Sequence, residues 1–227
     1  MAQYVISDIH GEADRFHEML RTIQFCESDT LYILGDVIDR GPNGISLLRK
    51  IMATPNITML LGNHEYMMLQ YMSPEATEVE FQRWNRNGNA PTLEEFGRMD
   101  KYSQEKILDF LQTLPSHLEV TANGNRFYLV HGFPGENIHD DVWNRPTLEH
   151  PNPIPECQLI IGHTPVENLL VSKEHRDEFI YNMAVKGEHM KICHADGFID
   201  IDCGCGHDIP TKALACLRLE DMEEFYV

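Results

Sequence analysis

Three short apolar segments, each leading into a helical period, constrain this chain more than any other feature. Residues 3–7, 30–34 and 57–61 read as strands. Between them, residues 13–23 place Phe16, Met19, Leu20 and Ile23 on one helical face, and residues 43–52 do the same with Ile45, Leu48 and Met52. The chain turns helical again after Glu65. A β-α-β-α-β order implies a parallel sheet with right-handed crossovers. The 30–34 strand is nearly all apolar, as a strand covered on both faces should be.

The middle of the chain reads as helical. Ser73-Pro74 has the form of an N-cap with proline at the first helical position, and Ser103 is placed to cap a second helix carrying Ile107, Leu108 and Leu111. Asn87-Gly88-Asn89 breaks the two. Few ligand-type side chains lie here, so residues from about 73 to 114 are expected to form a helical cap within a single domain of 1–227. The second half is strand-rich. Segments 117–121 and 126–131 flank Asn123-Gly124, a hairpin signal. Segments 159–161, 169–172, 190–194, 198–202 and 212–219 follow, with a turn at Ala195-Asp196-Gly197 and a Pro-rich loop at 150–155. The expected class is α/β, a central β-sandwich of mixed sheets flanked by helices.

Chemistry concentrates where the strands stop. The first three run into Ser7-Asp8-Ile9-His10-Gly11, then Gly35-Asp36-Val37-Ile38-Asp39-Arg40-Gly41, then Gly62-Asn63-His64-Glu65. Two later strands run into His131-Gly132 and Gly162-His163-Thr164-Pro165. Ligands of open α/β sheets bind outside the carboxyl ends of strands. Taken singly, each motif has an ordinary reading: a turn aspartate bonded to its own backbone, a helix-capping asparagine, a solvated arginine. Together Asp8, His10, Asp36, Asn63, His131 and His163 mix carboxylate, amide oxygen and imidazole, a set that suits manganese, iron or zinc better than calcium. Six ligands exceed one site, but suit two ions roughly 3.5–4 Å apart that share a bridging carboxylate.

The bulk properties narrow the partners. With a formal net charge of −18, the chain repels nucleic acid. No apolar run approaches the ~20 residues that span a bilayer. The start, MAQYVISDIHGEADR, lacks the pattern of a secretory leader, so a cytoplasmic location is expected. The six scattered cysteines read as reduced thiols, including Cys203 and Cys205, which lack the second pair a zinc site needs.

The series SDIHG, GDVIDRG, GNHE, HG and GHTP resembles the signature set of the phosphoprotein phosphatase family of metal-dependent serine/threonine phosphatases. Trp143-Asn144-Arg145 followed by GHTP is most similar to its bacterial and bacteriophage branch. The resemblance runs from about Tyr4 to Cys205. It implies a first metal on Asp8, His10 and Asp36, and a second on Asp36, Asn63, His131 and His163. Manganese is the first expectation for both. It implies His64 as general acid oriented by Asp39, with Arg40, Arg145 and Asn63 gripping phosphate oxygens. A hydroxide bridging the two ions would attack phosphorus in line. Ser7 stands where that family has glycine, and Phe133 follows the fourth motif. Residues 173–191 are long and charged for the compact branch, and read as a solvated excursion before a substrate-facing loop. His207-Asp208 reads as a turn, with reach to the site rim as the alternative.

The expected function is a metal-dependent phosphomonoesterase, in the first place a serine/threonine protein phosphatase, with phosphoproteins or small phosphoesters as substrates. A dinucleoside polyphosphate hydrolase on the same scaffold is the alternative, toward which the intact Asp39-Arg40 pair leans less. A non-catalytic protein on this fold ranks last, because none of the six ligands is missing.

Overall fold

The computed structural model describes residues 1–227. The chain runs β1 (Gln3–Ile6), α1 (Ala13–Thr22), β2 (Thr30–Ile33), α2 (Gly44–Met52), β3 (Ile57–Met59), α3 (Asn63–Met72), α4 (Glu78–Arg86), α5 (Ala90–Gly97) and α6 (Lys101–Thr113). It continues through β4 (His117–Ala122), β5 (Asn125–Val130), α7 (Ile138–Trp143), β6 (Gln158–Ile161), α8 (Val166–Leu170), α9 (Arg176–Lys186), β7 (Cys193–His194), β8 (Ile199–Asp200), β9 (Ala215–Arg218) and β10 (Glu224–Tyr226).

Two mixed sheets result. One has the order β10-β9-β1-β2-β3, with β1, β2 and β3 parallel as their crossovers require. The other has the order β4-β5-β6-β8-β7. The strand period of two divides the core. Tyr4 and Ile6 face the helices with Phe16, Met19 and Leu48. Val5, between them, faces the second sheet with Phe127, Leu129, Ile160 and Leu217. The hairpins at Asn123-Gly124 and at residues 195–197 close as their sequences indicate. All six cysteines are unpaired, and all but Cys26 are buried. No helix is long and apolar enough to cross a membrane.

Four local expectations fail. Ser73 ends α3 rather than capping the next helix. Thr77 caps α4, its hydroxyl accepting from the Val79 amide while its own amide donates to Glu80. Ser103 lies inside α6. Asp100 is the cap and accepts from the Ser103 amide at 3.0 Å. At α6 the charge of the capping carboxylate also suits the positive end of the helix. The predicted strand at 169–172 is instead the end of short helix α8. Residues 173–191 are not a solvated loop. They include α9, which packs Phe179, Ile180 and Met183 on the inter-sheet core, and Arg176 pairs with buried Glu167 at 2.6 Å.

Candidate metal centre

The ends of β1, β2, β3, β5 and β6 converge at one edge of the sandwich, and all six expected ligands are buried there. The turns that bring them together are strained. Asp8, His10, Asp36, Asp39, Arg40 and His163 all have positive φ, between 48° and 70°. Side-chain-bearing residues seldom adopt this region, and such outliers persist only where their surroundings over-determine them. Gly62 shows how tight the packing is: a Cβ there would lie 2.2 Å from Asp36 Oδ1.

Asp36 sits at the middle. Its Oδ2 is 3.6 Å from His10 Nε2, 3.3 Å from His131 Nε2 and 3.8 Å from His64 Nε2, while Oδ1 accepts from the His64 amide at 3.0 Å. Asp8 is oriented by donors on Oδ2, the Ser7 hydroxyl at 2.5 Å and the His163 amide at 3.0 Å, which leaves Oδ1 3.9 Å from His10 Nε2. Ser7 thus serves its turn without a positive φ. Asn63 Oδ1 lies 3.0 Å from His131 Nε2.

The donor set fits divalent ions. His10 Nδ1 donates to the Ile38 carbonyl at 3.0 Å, which leaves Nε2 a free lone pair with no hydrogen-bond partner. His163 Nε2 is likewise buried and unpartnered. Orphaned buried imidazole nitrogens of this kind are what a metal ligand needs, and His10 also has its other ring nitrogen fixed on a carbonyl. Two groups, His10–Asp36–His64 and Asp36–His131–His163, each bring one ligand atom per residue to within 4.8 Å of the others. His64 is the weaker member of the first, since the Arg40 guanidinium lies 3.2 Å from its Nε2 and repels a cation. Asp8 is the better partner for His10.

The electrostatics agree. Burial and the Arg40 charge hold His10 well below the usual imidazole range. Burial and the charge of His131 do the same to His163. Both are therefore neutral, as ligands must be. For His131, burial is outweighed by the Asp36 and Asp8 carboxylates, which push it up to about 9 in the metal-free chain. For Asp36, burial is outweighed by His131, His64 and His10, which hold it well below the carboxylate range.

Around these groups lies a cavity of about 90 Å³ lined by Asp8, Asp36, Asn63 and His163, with Arg40, Arg145, Asn87, Asn168 and His207 among its other walls. Arg40 and Arg145 are exposed side chains that share this opening. His207 therefore reaches the rim and is more than a turn residue, because Gly206 packs against the His10 ring and carries it there. A larger groove of about 580 Å³ between α9 and β7 brings together no comparable ligand group.

Three further residues support the site, and two of them, Trp84 and Thr92, have no signal in the sequence pattern. Asp39 Oδ2 accepts from His64 Nδ1 and from Trp84 Nε1, each at 2.6 Å, while its Oδ1 accepts from the Thr92 hydroxyl at 2.6 Å. Glu65 accepts four backbone amides, from Asp36, Val37, Ile38 and Gly62. Burial and the neighbouring Asp36 charge push Glu65 up to about 7, against the pull of those donors. Glu65 stood within a quoted motif, but Trp84 and Thr92 lie 45 and 53 residues from Asp39.

Residues 1–211 match the model of the calcineurin-like phosphoesterase family. The chain belongs to that family. Two curated relatives are named symmetrical bis(5'-nucleosyl)-tetraphosphatase. The protein from Delftia acidovorans is 34% identical over 134 residues, 58% of this chain and 44% of its own. The one from Acidovorax ebreus is 45% identical over 133 residues, 58% and 43%. The matched segment thus spans less than half the length of those relatives. A protein serine/threonine phosphatase from Saccharomyces cerevisiae superposes with a TM-score of 0.63 at 11% identity, over 97% of this chain and 73% of its own. That likeness shows the fold alone.

Proposed function

We propose that this chain is a metal-dependent phosphoric ester hydrolase whose substrate is a dinucleoside polyphosphate of the diadenosine tetraphosphate kind. The observation that carries the substrate class is the 34% and 45% identity to proteins named for that activity. The clustered ligands support the chemistry. Asp8, His10 and Asp36 would hold one divalent ion, and Asp36, Asn63, His131 and His163 a second. Manganese is the expected ion, and iron or zinc suits the same donors. When bound, such ions supply positive charge at phosphoryl oxygens and bring the pKa of water toward neutrality.

The chain's own residues do the rest. Arg40 and Arg145 present forked donors to the non-bridging oxygens and stabilise charge that grows there. The cavity is small, about 90 Å³, and both arginines stand in its wall beside Asp8, Asp36 and Asn63. His64 directs Nε2 toward Asp36 and Arg40 while Asp39 holds Nδ1, the geometry of a side chain that gives a proton to a departing oxygen.

That last pair favours a second reading, a phosphomonoesterase acting on phosphoserine or phosphothreonine. An alkoxide leaving group needs a proton, and a nucleoside diphosphate needs it far less. The test is a panel under manganese: diadenosine tetraphosphate, a phosphoserine peptide and p-nitrophenyl phosphate. The first reading expects diadenosine tetraphosphate and water to give two molecules of ADP, at a kcat/KM above that for the peptide. Peptide turnover with no ADP release overturns it in favour of the second.

A further inference from the structure

Asp39 has no solvent exposure, yet three side chains occupy its two oxygens. His64 is one of them, and it is the reason Asp39 matters. The other two come from helices that contribute no candidate metal ligand: Trp84 from α4 and Thr92 from α5. Thr92 holds Asp39 twice, since its hydroxyl also accepts from the Asp39 amide at 2.9 Å. Trp84 is fully buried, with Tyr71 packed against its ring at 5.6 Å, so its N–H direction is fixed by packing.

We propose that Trp84 and Thr92 are positioning residues for leaving-group protonation. They fix the Asp39 carboxylate so that it holds His64 with Nε2 toward Asp36 and Arg40, two walls of the cavity. The inference rests on the reading of His64 as proton donor. The physical case has two parts. A carboxylate with only one partner can rotate about its terminal torsion, which is broad and soft. Fixed donors on both oxygens remove that freedom. Second, Asp39 and Arg40 both have positive φ, at 70° and 65°. Strain of this kind needs outside support. The same helical segment supplies it, because the Gly88 carbonyl accepts from the Arg40 amide at 2.9 Å. Trp84, Gly88 and Thr92 thus act on the chemistry through the β2 turn that carries Asp39 and Arg40.

Trp84→Phe and Thr92→Val remove the donors and keep most of each shape. The manganese-loaded variants are assayed on p-nitrophenyl phosphate, whose leaving group departs without a proton, and on phenyl phosphate, whose leaving group needs one. The ratio of the two kcat values should rise about 10-fold in each single variant and by up to about 100-fold in the double variant, against the roughly 10²–10⁴-fold that a whole general acid contributes. Thr92→Ser keeps the hydroxyl and should restore the parent ratio. Manganese per chain and the thermal midpoint are measured alongside. An unmoved ratio overturns the proposal, whether or not both rates fall together with metal content or midpoint. His64→Asn separates the layers. If that variant leaves the ratio unmoved, or the parent enzyme does not turn over phenyl phosphate, the role of His64 itself fails. If its ratio rises while those of Trp84→Phe and Thr92→Val do not, only this inference fails.

Discussion

Asp36 Oδ2 lies 3.3 Å from His131 Nε2, and on its other side 3.6 Å from His10 Nε2. One carboxylate oxygen therefore faces both halves of the ligand set. Asp36→Asn keeps the shape and removes the charge. We expect it to lower manganese from two ions per chain to one or fewer. It should cut kcat/KM on any phosphoester by more than about 100-fold, exceeding the usual cost of disturbing a mere supporting residue. Metal analysis of the purified variant with steady-state kinetics checks both, and two retained ions would show that Asp36 does not bridge.

Glu65 ties the β2 and β3 turns together through four backbone amides. Glu65→Ala leaves those donors unpaired in a buried place. Each buried donor left without a partner costs about 1–3 kcal/mol, so unfolding in urea should shift by about 3 kcal/mol or more. A shift below about 1 kcal/mol would mean that water or a local rearrangement satisfies the amides.

The metal-free chain should lose stability as pH rises through the alkaline side of neutrality. Burial lowers the affinity of His131 for a proton, but Asp36 and Asp8 outweigh it and push the group up to about 9. A histidine raised on folding contributes stability that is complete below its unfolded value of about 6.5 and is lost as pH climbs through the folded value. Asp36 is shifted the other way, and its contribution is lost only in acid. The thermal midpoint in chelator should fall between pH 6.5 and 9. A midpoint that holds level or climbs across that window contradicts the pairing.

Gly206 rests on the His10 ring, where a Cβ would come within 2.1 Å of Cδ2. Gly206→Ala must move either the loop or the imidazole. We expect metal affinity to drop about 10-fold or more, as for other changes beside a ligand, with a stability cost of about 1–3 kcal/mol. Titration calorimetry with manganese reads the first, and wild-type affinity would show that the loop yields without moving His10.

Much of this site was legible because its ligands come from strand ends. A short apolar strand followed by Asp, His or Asn beside glycine marks itself in sequence, as at Asp8, Asp36 and Asn63. The helical middle was less legible. Its helices were recognised, but their caps were displaced to Thr77 and Asp100. Serine, threonine and aspartate compete for such positions by local geometry that spacing does not reveal. In the α8–α9 segment, the run Leu169-Leu170-Val171 reads as a strand as readily as a helix, and the charged stretch 173–178 reads as solvated. Its helices are stabilised by packing on the inter-sheet core and by the Glu167–Arg176 pair, which are tertiary contacts.

The sequence by itself determined the parallel order of β1, β2 and β3 and singled out the candidate ligand set. Both are written in local periodicity and in the residues that end each strand. Only the tertiary structure decided that Trp84 and Thr92 hold Asp39, that Glu65 ties two turns together and that His207 stands at the rim. Each of those facts depends on a buried polar atom finding its partner across the fold. Burial demands that such partners exist, but the chain order places no limit on how far away they are drawn from.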